Sequence, residues 1–227
     1  MYFPYLRGRQ YELIAIRELV EKKILSNQIV PIIEPVRDSP TLNSTILAFQ
    51  KEKMKLSYIL NPKVGKFNLD YEKTDAEDKK KTLVSQLNNE NMLKALFVDS
   101  DIEDNIKTYK SMNLDLSQII AIFLNRDDIN CVENKFFTDT LYNVVPFDPS
   151  FRRVRGNRIL ISDGFPKKNR NTDYATQDDN FFSDSHLYYK DDGYVGFSDY
   201  SVVGSDYQET GFAPYAVALH IVYFDEL

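Results

Sequence analysis

Charged and amide side chains follow most of the short apolar runs in this 227-residue chain. If those runs are parallel strands of a barrel, their carboxyl ends meet on one face, where the catalytic groups of such folds lie. Carboxylates beside an arginine could supply a general base and an anchor for a phosphate-containing substrate. The polar residues at these positions are Arg7, Arg9, Glu34, Asn61, Lys63, Asp99, Asp101, Asn125, Asp148 and Asp163.

Glu34 is the most informative of these positions because it lies inside the apolar run Ile32–Val36. A carboxylate in that setting loses its hydration unless it meets a cation, for which Arg7, Arg9 and Lys63 are the candidates. The buried carboxylate could be a catalytic base, or it could belong to a structural ion pair that joins the first three strands. We favour the structural interpretation, because ion-pair networks also perturb carboxylates outside active sites.

Asp99, Asp101 and Asp148 are the candidate ligands for a metal ion. Aspartate oxygens suit Mg²⁺, and a magnesium site would support phosphoryl chemistry. Aspartates after strands are also typical of turns and helix N-caps, and Ser100–Glu103 has the spacing of a capping box. Capping is the simpler interpretation, so the sequence indicates no cofactor beyond this candidate Mg²⁺.

Sequence signatures of known catalytic chemistry are missing. His186 and His220 are the only histidines, they lie far apart, and His220 falls in an apolar run typical of a core residue. No Ser-His-Asp or Cys-His set is spelled out. No Gly-x-Gly-x-x-Gly motif follows the first strand, and no phosphate-binding Gly-Lys-Ser/Thr loop is present. These observations favour a binding protein over an enzyme.

Composition predicts a single cytoplasmic domain over residues 1–227. The chain is 43% hydrophobic and 27% charged, which is typical of a globular protein. No run approaches the roughly 20 apolar residues of a membrane span, and no export signal follows Met1. The single cysteine, Cys131, has no disulfide partner, which fits a reducing compartment. A net charge of -6 argues against an extended nucleic-acid surface.

The alternation of strands and helices predicts a TIM-like (β/α) barrel rather than a doubly wound sheet. Several strands are apolar at successive positions, as expected where both faces of a parallel sheet are covered. We expect these strands to be parallel and adjacent in chain order. They are Tyr2–Leu6, Ile29–Val36, Leu56–Leu60, Leu93–Val98, Gln118–Leu124, Thr140–Phe147 and Arg158–Ile161.

Capping patterns in the sequence mark the starts of helices. The C-terminal part of the barrel is predicted to be irregular or incomplete. Ser39 before Pro40 and the capping-box spacing of Thr74–Glu77 each predict a helix N-terminus. Residues 169–212 form a polar, tyrosine-rich excursion within the domain. The eighth strand is predicted either near 194–197 or within 213–224.

Charge is distributed in two opposite blocks late in the chain. Residues 152–170 are basic, with Arg152, Arg153 and Arg155 at their start, and residues 173–209 are acidic and rich in tyrosine. Such a pair of loops could compensate itself, or it could steer and bind a partner protein. We expect charge reversal at the three arginines to weaken partner association, and we leave self-association open.

Four segments carry a resemblance to a known family: Tyr5–Leu13, Pro31–Val36, Gly196–Ser201 and Ala216–Ile221. Together they resemble the beta protein family of bacteria and satellite phages, and the likeness spans nearly the whole chain. The resemblance implies a barrel-like fold and a role in anti-phage defence or toxin–antitoxin-like loci, where the beta protein restrains a toxic partner encoded next to it. Members of that family continue beyond the position that matches Leu227, so a natural C-terminus and a fragment boundary both stay open there. The matching positions form a candidate functional cluster: Arg7, Arg9, Gln10, Glu12, Glu34, Asp199 and Tyr200.

Two classes of function therefore compete. The first is a module that binds and regulates a protein encoded by a neighbouring gene. The second is a hydrolase or phosphodiesterase-like barrel enzyme acting on a phosphate-containing substrate, with Arg7 and Lys63 as binding groups. Convergence of these groups in one pocket would favour the enzyme, whereas dispersal would leave it with little support. The catalytic candidates are Glu34, Asp99, Asp163 and Asp199.

Overall fold

A computed structural model describes residues 1–67, 76–175, 179–209 and 216–224. Eight strands form one sheet in the order β1 to β8, and every neighbouring pair is parallel. The predicted strand order and the TIM-like barrel class are confirmed. The strands are β1 Tyr5–Leu6, β2 Ile32–Ile33, β3 Leu56–Ile59, β4 Met92–Phe97, β5 Ile119–Ile122, β6 Tyr142–Pro146, β7 Arg158–Ser162 and β8 Gly196–Asp199.

The barrel is nearly closed, and its seam lies between β8 and the residues before β1. Tyr2 forms isolated parallel bridges to Ile29 and to Phe197. The Phe3 amide donates to the Phe197 carbonyl at 2.8 Å, and the Phe197 amide donates to the Met1 carbonyl at 3.1 Å. The first residues of the chain therefore join the two edges of the sheet.

Alternate residues of the strands face two different cores, which explains why the strands are apolar at successive positions. Inside the barrel, residues such as Tyr5, Ile32 and Ile122 pack on one another. On the outer face, residues such as Ile33 and Leu96 pack against the helices. Because Ile32 points inward and Ile33 outward, Glu34 points back into the barrel.

The crossover elements are mostly helices whose starts follow from local sequence. Ser39 accepts a hydrogen bond from the Leu42 amide at 3.2 Å with Pro40 in the first helical position, as predicted. The α-helices are α1 Gln10–Glu21, α2 Pro40–Lys51, α3 Ala76–Leu87, α4 Ile102–Ser111, α5 Asn134–Asp139 and α6 Ser185–Tyr188. The 3-10 helices are Arg126–Cys131, Pro149–Arg153, Asn171–Tyr174 and Ser201–Val203.

Capping in the middle of the chain differs from the expectation. The predicted box at Ser100–Glu103 does not form, because Asp101 is the N-cap of α4 and makes no side-chain capping bond. The Ser100 hydroxyl instead donates to the Asp101 carboxylate at 3.3 Å. The predicted box at Thr74–Glu77 lies outside the residues whose contacts the structure describes.

The structure decides between the two predicted positions of the eighth strand. β8 begins at Gly196, inside the predicted excursion 169–212, and pairs with β7. Residues 216–224 of the predicted strand 213–224 carry no strand, because β8 already occupies the last position in the sheet, and residues 213–215 lie outside the described part. His220 is therefore not in a buried strand. Across the described ranges, no helix combines the length and apolar character needed to cross a bilayer.

Candidate functional site

Glu34 is fully buried at the carboxyl end of β2, as predicted. One of its oxygens, Oε2, pairs with the Arg7 guanidinium and accepts a hydrogen bond from the Tyr5 hydroxyl at 2.6 Å. The other oxygen, Oε1, accepts from the Lys63 backbone amide at 2.7 Å. Burial, followed by the charge of Glu34, raises the pKa of Tyr5. The pairing with Arg7 is confirmed, and both carboxylate oxygens are occupied by the chain itself.

Arg7 also links the Arg7–Glu34 ion pair to Tyr200 and Ser205, which follow β8. Its guanidinium lies 5.1 Å from the ring centre of Tyr5 and 5.4 Å from that of Tyr200, which permits cation–π attraction. It also donates to the Ser205 carbonyl. Sequence reasoning missed Tyr5 and Ser205. Tyr5 could have been found from strand alternation, because Tyr5 and Arg7 point to the same side of β1.

Asp199 is the last residue of β8, and Tyr200 follows it on the same rim of the barrel. Asp199 Oδ1 accepts from the Tyr2 hydroxyl at 2.9 Å and from the Ser201 amide at 2.8 Å. Burial raises the pKa of Asp199, and these two hydrogen bonds only partly oppose it. Burial also raises the pKa of Tyr200 to about 12. A carboxylate that already accepts two bonds from its own chain is poorly placed to act as a base.

Residues 204–209, which we call the mouth strap, run along the carboxyl end of the barrel. A hydrogen bond holds the strap next to β7, where the Ser205 amide donates to Asp163 Oδ2 at 2.8 Å. A second hydrogen bond holds it beside β1, where Arg9 donates to the Gln208 carbonyl at 3.0 Å. Each contact joins the strap to the residues that follow a barrel strand. The chain therefore covers the face on which barrel enzymes bind their substrates.

Further contacts hold the strap along its length. The Arg9 guanidinium lies 5.2 Å from the ring centre of Tyr207. Lys66, beyond β3, pairs with Glu209 at 3.2 Å. Arg9 is also the N-cap of α1, and its backbone amide donates to the Glu12 carboxylate at 2.9 Å. Gln10 is the exposed first residue of α1.

The candidate metal ligands are engaged by cations or by turns. Asp99 pairs with Lys63 and accepts from the Asp101 amide at 2.9 Å. Asp148 accepts from the Ser150 amide at 2.7 Å and pairs with Arg126 at 3.1 Å. Hydrogen bonds from Ser150, and then the pair with Arg126, lower the pKa of Asp148 to about 2. Within the described ranges, no group of three or more His, Cys, Asp or Glu side chains is arranged to hold a metal ion.

Arg152, Arg153 and Arg155 lie away from the mouth, on the connection that leads from β6 to the amino end of β7. With Arg158, the first residue of β7, they form what we call the arginine surface. Arg152, Arg155 and Arg158 line a hollow of about 400 Å³. Arg152, Arg153 and Arg155 line an adjoining hollow of about 560 Å³. The sequence therefore identified two groups of candidate residues that the fold keeps apart.

The backbone beneath the arginine surface is held by buried groups. Phe151 and Val154 are buried, which turns the three arginines around them towards solvent. The buried Asn143 amide donates to the Phe137 carbonyl at 2.8 Å and to the Arg155 carbonyl at 3.2 Å. The loop is thus tied to both α5 and β6.

Exposed apolar and aromatic side chains occur in the C-terminal part of the chain, in α6 and in residues 216–224. Leu187 and Tyr188 of α6 are more than half exposed. In the C-terminal segment, Val217 and Phe224 are largely exposed. His220 packs edge-on against Phe165 and Tyr174, with ring centres 4.8 and 4.5 Å away.

No protein-family model, curated protein or solved structure matches the chain. The resemblance to the beta protein family therefore stays a prediction.

Proposed function

We propose that this protein is a binding component of a bacterial anti-phage defence or toxin–antitoxin-like system, in which it binds and regulates a protein encoded by a neighbouring gene. The observation that carries this proposal is the arginine surface, in which Arg152, Arg153 and Arg155 are exposed and Arg158 is partly exposed. The described residues supply no ion pair for any of the four guanidiniums. Uncompensated charge on a rigid loop is of little use to barrel stability, but it steers association with an acidic partner.

The closed mouth of the barrel supports binding over turnover. Glu34 has both oxygens occupied by Tyr5, Arg7 and the Lys63 amide. The mouth strap covers the same face through Ser205 and its neighbours. An enzyme of this fold needs free polar groups at that face, so the arrangement favours a scaffold that presents an outer surface.

The amphipathic neighbourhood of the arginine surface fits a protein interface. Arg158 contacts the Gly193 carbonyl at 3.4 Å, which places the turn after α6 against it. The exposed Leu187 and Tyr188 of α6 precede that turn, and tyrosine contributes contact area together with a polar tip. The resemblance to the beta protein family adds the expectation that the partner is toxic on its own.

The test is co-expression with the product of the neighbouring gene. Wild type is compared with the triple variant Arg152→Glu, Arg153→Glu and Arg155→Glu. The control triple Lys51→Glu, Lys55→Glu and Lys110→Glu makes the same change in net charge at exposed positions elsewhere. We expect wild type and control to form a complex on gel filtration and to change growth or phage plating. The arginine variant should bind the partner more weakly and with less sensitivity to salt, and it should keep the wild-type melting temperature. The proposal is wrong if wild type forms no complex and affects neither growth nor plating.

A further inference from the structure

The hollow beside Arg155 has the size and the chemistry of a small-ligand site. Its volume is about 400 Å³, within the range of roughly 300–1,000 Å³ that is usual for small-molecule pockets. Three of its lining residues are arginines and none is acidic, although Asp192 is adjacent to Gly193 in the sequence. The residues that line it are Arg152, Val154, Arg155, Gly156, Arg158 and Gly193.

None of the described carboxylates forms an ion pair with the arginine surface, and neutral groups orient two of its four guanidiniums. Arg153 donates to the side-chain oxygens of Asn134 at 3.0 Å and Asn130 at 3.4 Å. Arg158 donates to the Gly193 carbonyl and lies 4.7 Å from the ring centre of Tyr194. Elsewhere in the described chain, Arg7, Arg17 and Arg126 pair with carboxylates. Guanidiniums gathered without a carboxylate repel one another, and a bound anion relieves that repulsion.

The hollow is formed before any ligand arrives. Gly156 has φ +95, and a Cβ there would lie 2.6 Å from the Phe137 carbonyl oxygen, so the loop turns tightly against α5. Asn143 holds the Arg155 carbonyl from beneath. A backbone fixed in this way loses little conformational entropy when the site binds a ligand.

From these observations we infer that the hollow lined by Arg152, Arg155 and Arg158 binds a small phosphate-bearing molecule of the size of a diphosphate. A guanidinium presents two parallel N–H donors that match the oxygens of a phosphate, and a diphosphate has enough oxygens for several such forks. The inference goes beyond the proposed function and does not depend on it. Competition between this ligand and the partner protein follows if both use the same arginines.

A small ligand fits better than a nucleic acid. The protein carries a net charge of -6, and the arginine hollows are followed along the chain by the acidic Asp184, Asp191 and Asp192. A polynucleotide needs a basic track that extends beyond one phosphate group or two. The charge here is confined to two adjoining hollows.

The test is isothermal titration of the isolated protein with inorganic pyrophosphate and, separately, with ADP. We expect wild type to bind pyrophosphate, with Arg155→Gln weakening binding by about tenfold or more because a charged donor pair is lost. Arg155→Lys keeps the charge but loses the fork, so it should also weaken binding severalfold. Lys55→Gln, which removes an exposed charge elsewhere, is the matched control and should leave binding unchanged. Tighter binding of ADP than of pyrophosphate would identify a nucleotide as the ligand.

Three results would overturn the inference. One is that neither pyrophosphate nor ADP binds wild type at physiological salt, and another is that Lys55→Gln weakens binding as much as Arg155→Gln. The third is that a single-stranded oligonucleotide without a terminal phosphate binds more tightly than either probe, which would point to nucleic acid. If Arg155→Gln lowers the melting temperature, Arg152→Gln replaces it as the test of the site. Failure of the partner complex in co-expression bears on the proposed function alone, since these titrations contain no partner.

Discussion

Arg7 and Glu34 form a buried ion pair that closes the interior of the barrel at its carboxyl end. The Tyr5 hydroxyl and the Lys63 amide complete the contacts of the carboxylate. The pair joins the ends of β1 and β2 to the residues that follow β3. Its energetic role is therefore testable independently of any activity.

Replacement of Glu34 by Gln is expected to lower the free energy of unfolding by about 3–5 kcal/mol, because it leaves the Arg7 guanidinium buried without an opposite charge. Urea unfolding monitored by circular dichroism measures this change. The double variant Arg7→Met with Glu34→Gln should lose less than the sum of the two single variants, since neither charge remains. An unchanged melting temperature in Glu34→Gln would contradict the structural role.

The raised pKa of Asp199 predicts that the stability of the protein depends on pH, with a defined sign. Burial raises its pKa above the ordinary value of 3.8, so the native protein binds this proton more tightly than the unfolded chain does. Stability from this group is therefore lost as the pH rises from 3.8 through the raised pKa. Asp199→Asn can still accept from Tyr2 and Ser201 through Oδ1, and it removes the titration.

The measurement for Asp199 is the difference in unfolding free energy between Asp199→Asn and wild type, followed against pH. We expect the difference to favour the variant increasingly through this window and to become constant above it. Thr108→Ala, at an exposed position without a titrating group, is the control and should give a flat difference. A flat difference for Asp199→Asn as well would show that burial does not perturb this carboxyl.

Strand alternation made the Glu34 site predictable, because Ile32, Ile33 and Glu34 sit on an unbroken strand whose side chains must alternate. The candidate cations could be narrowed only to three, since no local pattern says which neighbouring strand end supplies the partner. The structure selects Arg7 and gives Lys63 a backbone role. Pairing of this kind depends on the register of neighbouring strands, which the periodicity of one strand does not encode.

The C-terminal part was harder to predict for a related reason. Residues 216–224 are as apolar as a strand, but a strand needs a free sheet edge, and β8 already holds that place. The arginine surface could be found as a run of like charge, whereas its separation from the mouth depends on the whole β6–β7 connection. The charge pattern of the sequence identifies these arginines, but only the topology of the fold shows where on the barrel they lie.

Gly196 permits the close approach at the seam of the barrel. A Cβ at this position would lie 2.7 Å from Phe3 Cε2 and 2.9 Å from the Met1 carbonyl oxygen. Gly196→Ala should therefore push the first residues away from β8 and cost about 1–3 kcal/mol of stability. Amide hydrogen exchange at Phe3 and Phe197 measures the loosened seam directly, because these amides make the hydrogen bonds across it.

Ser198→Ala provides the control for the seam. It lies in the same strand, and its buried hydroxyl has no hydrogen-bond partner among the described residues, so its removal should leave stability unchanged or slightly higher. If Gly196→Ala leaves exchange at Phe3 and Phe197 at the wild-type rate, the close packing of the seam is not what the structure indicates.

The attachment of the mouth strap to Asp163 can be broken without changing a residue of the barrel strands, because Asp163 follows β7. The exposed Asp163 carboxylate accepts from the Ser205 amide at 2.8 Å and from the Phe165 amide at 3.3 Å. Asp163→Ala removes both acceptors, so hydrogen exchange across residues 204–209 should accelerate by about five- to tenfold, the equivalent of one ordinary hydrogen bond. Exchange in β4 should stay at its wild-type rate, since it reports on global unfolding. Mass spectrometry of the peptic peptides measures both regions, with Asp139→Ala as a control at an exposed position. If the strap exchanges no faster in Asp163→Ala, other contacts hold the mouth closed, and Arg9→Gln, which loses both the Gln208 bond and the Tyr207 ring, becomes the variant that must open it.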